Sequence, residues 1–200
     1  ILGTHVLLEG AKLIGPQLRL FVHVSTDEVY GEGSSGEASH ESTVLEPTNP
    51  YAATKAGAEY LVKAYHRSFK LPVVITRGNN VYGPHQFPEK IIPKFVNQLA
   101  LGRKLTLHGS GENTRNYLFV EDVARAFDVV LHRAEVGQVY NIGGSNELSN
   151  RKVAETIIKE MTDLGEGDVE AETGALTDEA LAKFVDYTVD RPFNDLRYPL

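Results

Sequence analysis

The sequence contains no cysteine, no tryptophan and a single methionine among its 200 residues. Without cysteine, the chain can form no disulfide, no thiolate nucleophile and no cysteine-ligated metal site. It has no apolar run of about eighteen residues, the length that marks a membrane-spanning helix. Its first residues show neither a basic segment nor a small-residue cleavage site. The sequence therefore predicts no membrane contact and no secretion, and we expect a cytoplasmic protein.

Positive charge is also scarce in this chain. Lysine and arginine together number 20 against 27 acidic residues, which gives a formal net charge of −7. A chain with this balance has no general attraction to nucleic acid or to anionic lipid, so any bound phosphate must be held by a few placed cations. The seven histidines form no pair at the helical i, i+4 spacing, and the sequence therefore predicts no metal site.

The remaining composition is that of an ordinary globular protein, with 42% hydrophobic and 24% charged residues. Two apolar runs rich in branched side chains, Leu18–Ser25 and Leu71–Arg77, predict buried strands. Asn49 and Pro50 predict the start of a helix that runs from about Tyr51 to Phe69. Further helices are predicted over 93–101, 120–132 and 150–162, and further strands over 104–108 and 138–142. This alternation predicts an α/β fold with a mostly parallel sheet.

Two polar stretches interrupt the alternation. Residues 31–46 predict a long loop, and the letters at 31–36 match the phosphate-binding pattern G-x-G-x-x-G. No helix follows those glycines, so they predict a flexible loop and not a phosphate site. Residues 163–179 carry seven acids and no lysine or arginine, which predicts a solvated linker or mobile loop.

Tyr51 and Lys55 are the first candidate catalytic pair. They are four residues apart near the start of a predicted helix, so their side chains rise from the same face. A lysine charge about 4–6 Å from the phenol would lower the pKa of the tyrosine toward neutral pH. Such a tyrosine can take a proton from a sugar hydroxyl while the carbon gives hydride to a nicotinamide. The pair alone is also common on helix surfaces, where it has only a structural role.

A second candidate group follows the first predicted strand. Thr26, Asp27 and Glu28 come where that strand ends, and ligands of open parallel sheets bind beyond the carboxyl ends of the strands. Two adjacent carboxylates at such a place can also be a strand-end cap or a solvated turn. The order of strand, Thr-Asp-Glu, loop, capped helix and Tyr-x-x-x-Lys favours the functional interpretation.

Five segments together carry a resemblance to a known family: STDEVYG, NPYAATKAGAE, TRGNNVYGPHQFPEKIIPKF, HGSGENTRNYLFVEDVA and YNIGG. They resemble the extended short-chain dehydrogenase/reductases, in particular the dTDP-glucose and UDP-glucose 4,6-dehydratases. The resemblance implies a Rossmann-like, doubly wound parallel sheet with a small C-terminal substrate-binding lobe, and NAD as the cofactor. Residues 1–150 would belong to the NAD-binding domain, with substrate-binding segments at about 79–115, and residues 151–200 to the lobe. The strand, glycine-rich turn and acidic ribose ligand that open this fold do not occur, so we expect the chain to be a fragment that lacks the N-terminal part.

The family mechanism assigns one role to each residue of the two candidate groups. Tyr51 would act as the base at the C4 hydroxyl while hydride passes to NAD+, and Lys55 would hold the ribose. Glu28 would then remove the C5 proton, and protonated Asp27 would give its proton to the departing C6 hydroxyl. Thr26 would hydrogen-bond the C4 oxygen. Hydride returns to C6, and the product is a 4-keto-6-deoxy sugar.

The resemblance also implies a set of ligand contacts. The cofactor would meet Ser25, Tyr51, Lys55 and Asn79. The nucleotide sugar would meet Asn80, Glu89, Lys90, His108, Arg115, Asn150 and Arg191. An arginine suits a pyrophosphate because its planar fork can meet two oxygens at once. His108 stands where the bacterial dTDP-glucose enzymes usually carry tyrosine, which leaves recognition of the base open.

The end of the sequence, RPFNDLRYPL, resembles the dehydratase domain of the plant UDP-rhamnose synthases. UDP-glucose is therefore the favoured substrate, dTDP-glucose is next, and rhamnose biosynthesis is the expected context. A reductase or epimerase domain beyond Leu200 stays open. Two alternatives remain: a nucleotide-sugar 4-epimerase or decarboxylase of the same superfamily, and a non-catalytic dehydrogenase-like binding protein. By the same resemblance we expect a homodimer formed through two helices of each subunit, one of them carrying Tyr51.

Overall fold

The computed structural model describes residues 1–32, 38–164, 168–169, 174–190 and 195–198. Arg191, the second and third glycines of the 31–36 stretch, and residues 165–167 and 170–173 of the acidic segment lie outside them. What was predicted for those positions therefore stays a prediction. Within the part that is described, no helix is both long and apolar enough to cross a membrane.

A three-stranded parallel sheet joins strands from both halves of the chain. Its strands are β1 (Phe21–Thr26), β2 (Val73–Gly78) and β6 (Val139–Ile142), in the order β1-β2-β6. Helix α1 (Leu2–Ile14) and helix α2 (Pro50–Phe69) pack together beside this sheet. The core between them is built from buried apolar side chains: Leu8, Ala11, Val62, Tyr65, Leu71, Val73 and Ile75.

Helix α2 begins and ends as its sequence predicts. The Asn49 side chain accepts a hydrogen bond from the Ala52 amide at 2.9 Å, and Pro50 occupies the first turn, where its missing amide hydrogen needs no partner. Lys70 closes the helix in the left-handed conformation, with φ 58°. This start places Tyr51 at the end of the helix nearest the carboxyl ends of the strands.

The other elements are mostly short. They are β3 (Asn80–Tyr82), α3 (Ile91–Ala100), β4 (Leu105–His108), β5 (Thr114–Phe119), α4 (Val120–Arg133), β7 (Glu147–Ser149), α5 (Asn150–Met161), α6 (Asp178–Phe184) and β8 (Val185–Thr188). Strands β3, β5 and β7 form a second sheet in the order β3-β5-β7, and β4 pairs in parallel with β8. All the helices and strands predicted from the sequence are present, and β3, β5, β7, β8 and α6 were not predicted.

The chain divides into two compact units. The first comprises Ile1–Val81, Asn116–Asn146 and Arg197–Leu200, and the second comprises Tyr82–Arg115 and Glu147–Leu196. The first unit contains the β1-β2-β6 sheet with α1 and α2. The second contains α3 packed against α5, together with the β4-β8 pair. Its buried core side chains include Phe95, Leu105, Leu107, Ile158, Leu176 and Leu181.

In the described part of the acidic segment 163–179 the prediction of a solvated linker is wrong, and the alternative of a mobile loop stays a prediction. Val169 and Leu176 form an antiparallel bridge, and Leu176 is buried. The Thr177 side chain caps α6 by accepting a hydrogen bond from the Ala180 amide. Leu176 is buried and Val169 and Ala175 are partly buried, and this burial orders backbone that the charge pattern alone assigns to solvent.

Candidate active site

A short 3-10 turn, Asp27–Tyr30, follows β1 and carries both candidate carboxylates. The Thr26 hydroxyl accepts a hydrogen bond from the Glu28 amide at 3.4 Å and donates one to Asp27 Oδ1 at 3.2 Å. Gly31 closes the turn with φ 80°, and a Cβ there would lie 2.1 Å from the Glu46 carbonyl oxygen. Only glycine fits such a position, so the turn is fixed at both of its ends.

Asp27 is buried, with 3% of its surface exposed. Asn79, which follows β2, donates a hydrogen bond from Nδ2 to Asp27 Oδ2 at 2.7 Å. Burial raises the pKa of Asp27 to about 6, and the nearby Glu28 charge adds to the rise, while the hydrogen bonds from Asn79 and Thr26 oppose it. This carboxyl can therefore hold a proton at a pH where an ordinary aspartate cannot.

Glu28 is partly buried beside Asp27 and is held by the start of α2. Asn49 donates from Nδ2 to Glu28 Oε2 at 3.3 Å, and the same amide lies 3.4 Å from the Tyr198 hydroxyl. Because the Asn49 carbonyl oxygen also caps α2, one side chain joins the helix that carries Tyr51 to the carboxylate of the turn.

Tyr51 lies close to the turn, with 54% of its surface exposed. The pKa of its phenol is raised, first by burial and then by the negative charges of Glu28 and Asp27, while a hydrogen bond with the Thr26 side chain opposes the rise. The Lys55 charge is not among the causes of this shift, so the prediction that Lys55 lowers the pKa of Tyr51 is wrong. Two carboxylates act on the phenol, and each favours its protonated form.

Lys55 is turned toward β1. Its Nζ donates to the Val24 carbonyl oxygen at 2.5 Å, and burial lowers the pKa of this lysine. Burial lowers the pKa of His23 to about 4, and the Lys55 charge adds to this lowering. His23 is therefore a neutral, buried side chain under α2, a feature that the sequence pattern did not indicate.

The two remaining predicted cofactor residues, Ser25 and Asn79, are both buried. Ser25 Oγ has no hydrogen-bond partner among the described residues. The Asn79 amide has two partners inside the chain, since it donates to Asp27 and its oxygen accepts from the Gly144 amide at 3.2 Å. The cofactor contact of Asn79 stays a prediction, whereas its role in holding Asp27 is visible in the structure.

The predicted substrate-binding residues other than Arg115 and Arg191 are divided between the two units. Asn80 is exposed in β3 of the first unit, and Glu89 and Lys90 are exposed just before α3 in the second. His108 ends β4, with Nδ1 3.3 Å from the Val189 carbonyl oxygen. Asn150 is the first residue of α5, and its backbone amide donates a hydrogen bond to the Asn113 carbonyl oxygen at 3.0 Å. Their contacts with a nucleotide sugar stay predictions.

Arg115 makes several hydrogen bonds within the second unit. Its guanidinium donates to the carbonyl oxygens of Thr114 at 2.7 Å, Asp195 at 3.0 Å and Leu196 at 3.4 Å. It therefore anchors the described stretch 195–196 beside β5. No sequence pattern indicates this anchoring role, because the anchored backbone atoms lie about 80 residues away.

Several residues of the site were missed by the sequence analysis. Asn49 was predicted only as a helix cap, and its contact with Glu28 has no local sequence signal. Glu59 and Arg77 form a buried pair, and here a signal existed. An arginine that ends an otherwise apolar strand requires a buried acid, and Glu59 lies on the same helical stripe as Tyr51 and Lys55.

A parallel sheet that ends in a Thr-Asp-Glu turn, beside a helix that begins with Tyr-x-x-x-Lys, defines the class: an extended short-chain dehydrogenase/reductase. A sequence profile of the family described as GDP-mannose 4,6 dehydratase matches residues 1–197. The chain belongs to this family.

Individual relatives extend the comparison. A trifunctional UDP-glucose 4,6-dehydratase/UDP-4-keto-6-deoxy-D-glucose 3,5-epimerase/UDP-4-keto-L-rhamnose-reductase of Arabidopsis thaliana is 55% identical over 200 residues, which are 99% of this chain and 27% of that protein. A dTDP-D-glucose 4,6-dehydratase of Dictyostelium discoideum is 47% identical over 225 residues, 99% of this chain and 51% of that protein. The chain thus spans about half the length of this second relative.

The fold is shared with solved structures. The crystal structure of dTDP-glucose 4,6-dehydratase from Bacillus anthracis in complex with NAD matches with a TM-score of 0.84 and 42% identity, over 100% of this chain and 58% of that one. The predicted Rossmann-like α/β fold class is therefore confirmed, as is the predicted membership of the extended short-chain superfamily.

Proposed function

We propose that the full-length protein is an NAD-dependent hydro-lyase, which converts a nucleoside-diphosphate glucose into the 4-keto-6-deoxy sugar. One observation carries this proposal: Asp27, whose pKa is raised to about 6, and Glu28 both lie where their charges act on the Tyr51 phenol. A site that only oxidises and reduces C4 has no use for an acid and a base at neighbouring carbons. A dehydratase requires both.

The residues of the site fit the nicotinamide half of NAD. Tyr51 is half-exposed and Lys55 partly exposed at the carboxyl end of β1, and Ser25 Oγ is a buried polar atom without a partner among the described residues. Tyr51, Lys55 and Ser25 would hold this part of the cofactor. When bound, NAD accepts a hydride from C4 of the sugar and later returns one to C6.

Tyr51 handles the first proton. It takes the C4 hydroxyl proton as C4 is oxidised, and Thr26 orients the C4 oxygen through the hydroxyl that also meets the phenol. The residues of the chain raise the pKa of Tyr51, so this step requires a positive charge close to the phenol. Without such a charge, the phenol stays protonated and little phenolate is available to act as the base.

Glu28 and Asp27 handle the elimination. The C4 ketone acidifies the C5 hydrogen, and Glu28 removes it as a proton. The bond from C6 to its oxygen breaks, Asp27 gives its proton to that oxygen, and one water leaves. The proton on Glu28 returns to C5 when C6 receives its hydride. The sugar loses one water with no net oxidation, and the two carboxyls need the different protonation states that burial and like charge create.

UDP-glucose is the favoured substrate, and dTDP-glucose is the next candidate. The identity to the Arabidopsis UDP-glucose enzyme is 55%, against 47% to the Dictyostelium dTDP-glucose enzyme. Both relatives are named as 4,6-dehydratases of a nucleoside-diphosphate glucose, which supports the proposed reaction. A context in rhamnose biosynthesis follows from the first relative.

Incubation with each nucleotide sugar tests the proposal. Full-length protein with NAD should convert UDP-glucose, and dTDP-glucose more slowly, into a product lighter by one water, as measured by mass spectrometry. A Tyr51→Phe variant should give no product. An isomer of unchanged mass would indicate a 4-epimerase, and binding without turnover would indicate a non-catalytic protein. Either result contradicts the dehydratase.

We also propose a homodimer. Helix α1 exposes Leu2, Val6 and Leu13, at 75%, 60% and 85% of their surfaces, and these positions share one side of the helix. Apolar side chains in such a row are typical of a surface that a second subunit covers. Light scattering of the full-length protein should give twice the mass of one chain, and a monomer at micromolar concentration would contradict the proposal.

A cytoplasmic location is proposed as well. A chain without cysteine gains nothing from an oxidising compartment. Cell fractionation should recover the full-length protein with soluble cytoplasmic markers, and recovery with secreted or organellar markers would contradict this location.

A further inference from the structure

A buried ion pair joins the catalytic helix to the sheet. Arg77, in β2, donates from Nη2 to Glu59 Oε2 at 2.7 Å and from Nε to Glu59 Oε1 at 3.0 Å. The exposed fractions of the two side chains are 1% and 0%. This is a bidentate contact, the most directional geometry that an arginine and a carboxylate can form.

The same arginine holds the turn that carries the carboxylates. Its Nη1 donates to the Tyr30 hydroxyl at 2.7 Å, and its guanidinium carbon lies 4.7 Å from the centre of the Tyr30 ring. The Tyr30 hydroxyl in turn donates to Asn141 Oδ1, in β6, at 2.7 Å. The Tyr30 hydroxyl is therefore hydrogen-bonded to one residue of β2 and one of β6. Together these contacts form a continuous chain of hydrogen bonds from Glu59 through Arg77 and Tyr30 to Asn141.

The positions of these residues in the sequence connect them with the chemistry. Glu59 lies four residues after Lys55 and eight after Tyr51, on one stripe of α2. Tyr30 lies in the same four-residue turn as Asp27 and Glu28. The Glu59–Arg77–Tyr30 network thus ties together the two elements that carry the proposed catalytic groups.

Stability alone does not account for such a network. Removing two charges from water is costly, and apolar side chains of the same volume often stabilise a fold equally well or better. What an ion pair adds is a fixed distance and orientation between the elements that it joins. The proposed elimination is sensitive to this, because a misplacement of about 1 Å can lower a rate on the order of 100-fold.

We propose that the Glu59–Arg77–Tyr30 network is a positioning device that sets Asp27 and Glu28 against the sugar, and that it governs the elimination more than the hydride transfer. This proposal rests on the dehydratase function proposed above. Asn49 caps α2 two residues before Tyr51, so the start of this helix is held by a contact that does not involve Tyr30. Tyr30 belongs to the turn itself, so removal of its hydroxyl should displace the carboxylates of Asp27 and Glu28 more than the phenol of Tyr51.

The test is Tyr30→Phe in the full-length protein with NAD and the nucleoside-diphosphate glucose that the native protein converts. The change keeps the ring over the guanidinium and removes the hydroxyl between Arg77 and Asn141. We expect deuterium uptake at C5 from D2O to fall about 10- to 100-fold, the scale of a positioning defect. Oxidation at C4 should stay within about twofold of native, so that bound NADH accumulates during turnover.

Tyr65→Phe is the matched control. Tyr65 is a second buried tyrosine, in α2, whose hydroxyl donates to Glu9 far along the helix from Tyr51. This variant should keep native C5 exchange and a native level of NADH. If Tyr30→Phe behaves like Tyr65→Phe, or lowers oxidation and exchange by the same factor, the positioning role is wrong.

A double variant separates positioning from folding. Glu59→Leu with Arg77→Met replaces the buried pair by apolar side chains of similar volume, so the midpoint of urea unfolding should stay at or above that of native protein. C5 exchange should still fall about 10-fold or more, as for Tyr30→Phe. Native exchange in this variant would overturn the positioning role. Failure of the dehydratase proposal is distinguishable, because the native protein itself would then make no dehydrated product.

Discussion

Glutamine in place of Glu28 should leave the protein able to bind nucleotide and to oxidise C4, yet unable to remove the C5 proton. The change keeps the size of the side chain and an oxygen that can accept the Asn49 hydrogen bond, which is 3.3 Å long in the native chain. What it removes is the group that accepts a proton. Product formation should fall by roughly 10²–10⁴-fold, the usual contribution of a placed base.

Three measurements on the full-length protein check this expectation: product by mass spectrometry, deuterium uptake at C5, and bound NADH by its absorbance. NADH should accumulate while C5 exchange disappears. Glu46→Gln serves as the control, since Glu46 is an exposed acid near the same turn that has no proposed role in the chemistry. Turnover of the Glu28→Gln variant at the native rate would remove the elimination mechanism.

Asparagine in place of Asp27 should have two opposite effects, a loss of turnover and a gain of stability at neutral and higher pH. In the folded protein, burial raises the pKa of Asp27 to about 6, from its ordinary value of 3.8. Between these two values the folded state holds a proton that the unfolded chain has released, so the stability of the native protein falls as pH rises through this window. The difference of about two pKa units corresponds to about 3 kcal/mol above pH 6.

The Asp27→Asn variant carries no charge at this position, so it should not lose stability as the pH rises. At pH 8 the free energy of unfolding of Asp27→Asn should exceed that of native protein by up to about 3 kcal/mol, and the difference should vanish near pH 4. The asparagine side chain can still accept a hydrogen bond from Asn79 and form one with the Thr26 hydroxyl, so the turn keeps its hydrogen bonds. Turnover should fall by roughly 10²–10⁴-fold because the proton donor is gone.

Urea unfolding at several pH values measures the stability effect. Asp163→Asn, at an exposed acid outside the site, is the control and should change the free energy of unfolding by less than about 0.5 kcal/mol at every pH. If Asp27→Asn is less stable than native protein at pH 8 and unchanged at pH 4, Asp27 is stabilised as a carboxylate, and its role as the acid is lost.

Much of the fold could be predicted because its main signals are local. The apolar runs that become β1 and β2 are continuous, and α2 has its cap, proline and alanines within one stretch of sequence. The strands that were missed depend on distant partners, and β3, β7 and β8 are also short. Strand β8, for example, exists as a pairing with β4, about 80 residues earlier in the chain. No pattern within four residues of sequence contains that information.

The site shows the same limit at the level of single atoms. The spacing of Tyr51 and Lys55 predicted that they share a face of α2, but the Lys55 amine is directed by the Val24 carbonyl, 31 residues away. The contact between Asn79 and Asp27 likewise spans 52 residues. Residue types and their order indicated which groups act together. Their protonation depends on burial, and burial is settled only when distant strands and helices come together.

The stripe of Tyr51, Lys55 and Glu59 also constrains how this protein can change in length. Each residue advances an α-helix by about 100°, so one insertion or deletion between Tyr51 and Glu59 would swing the acid out of the interior and leave Arg77 facing no counter-ion. Substitutions on the outer side of these two turns are tolerable, but indels are not. Chimeras with related enzymes should therefore be joined outside Asn49–Glu59, so that the whole stripe passes from one parent to the hybrid intact.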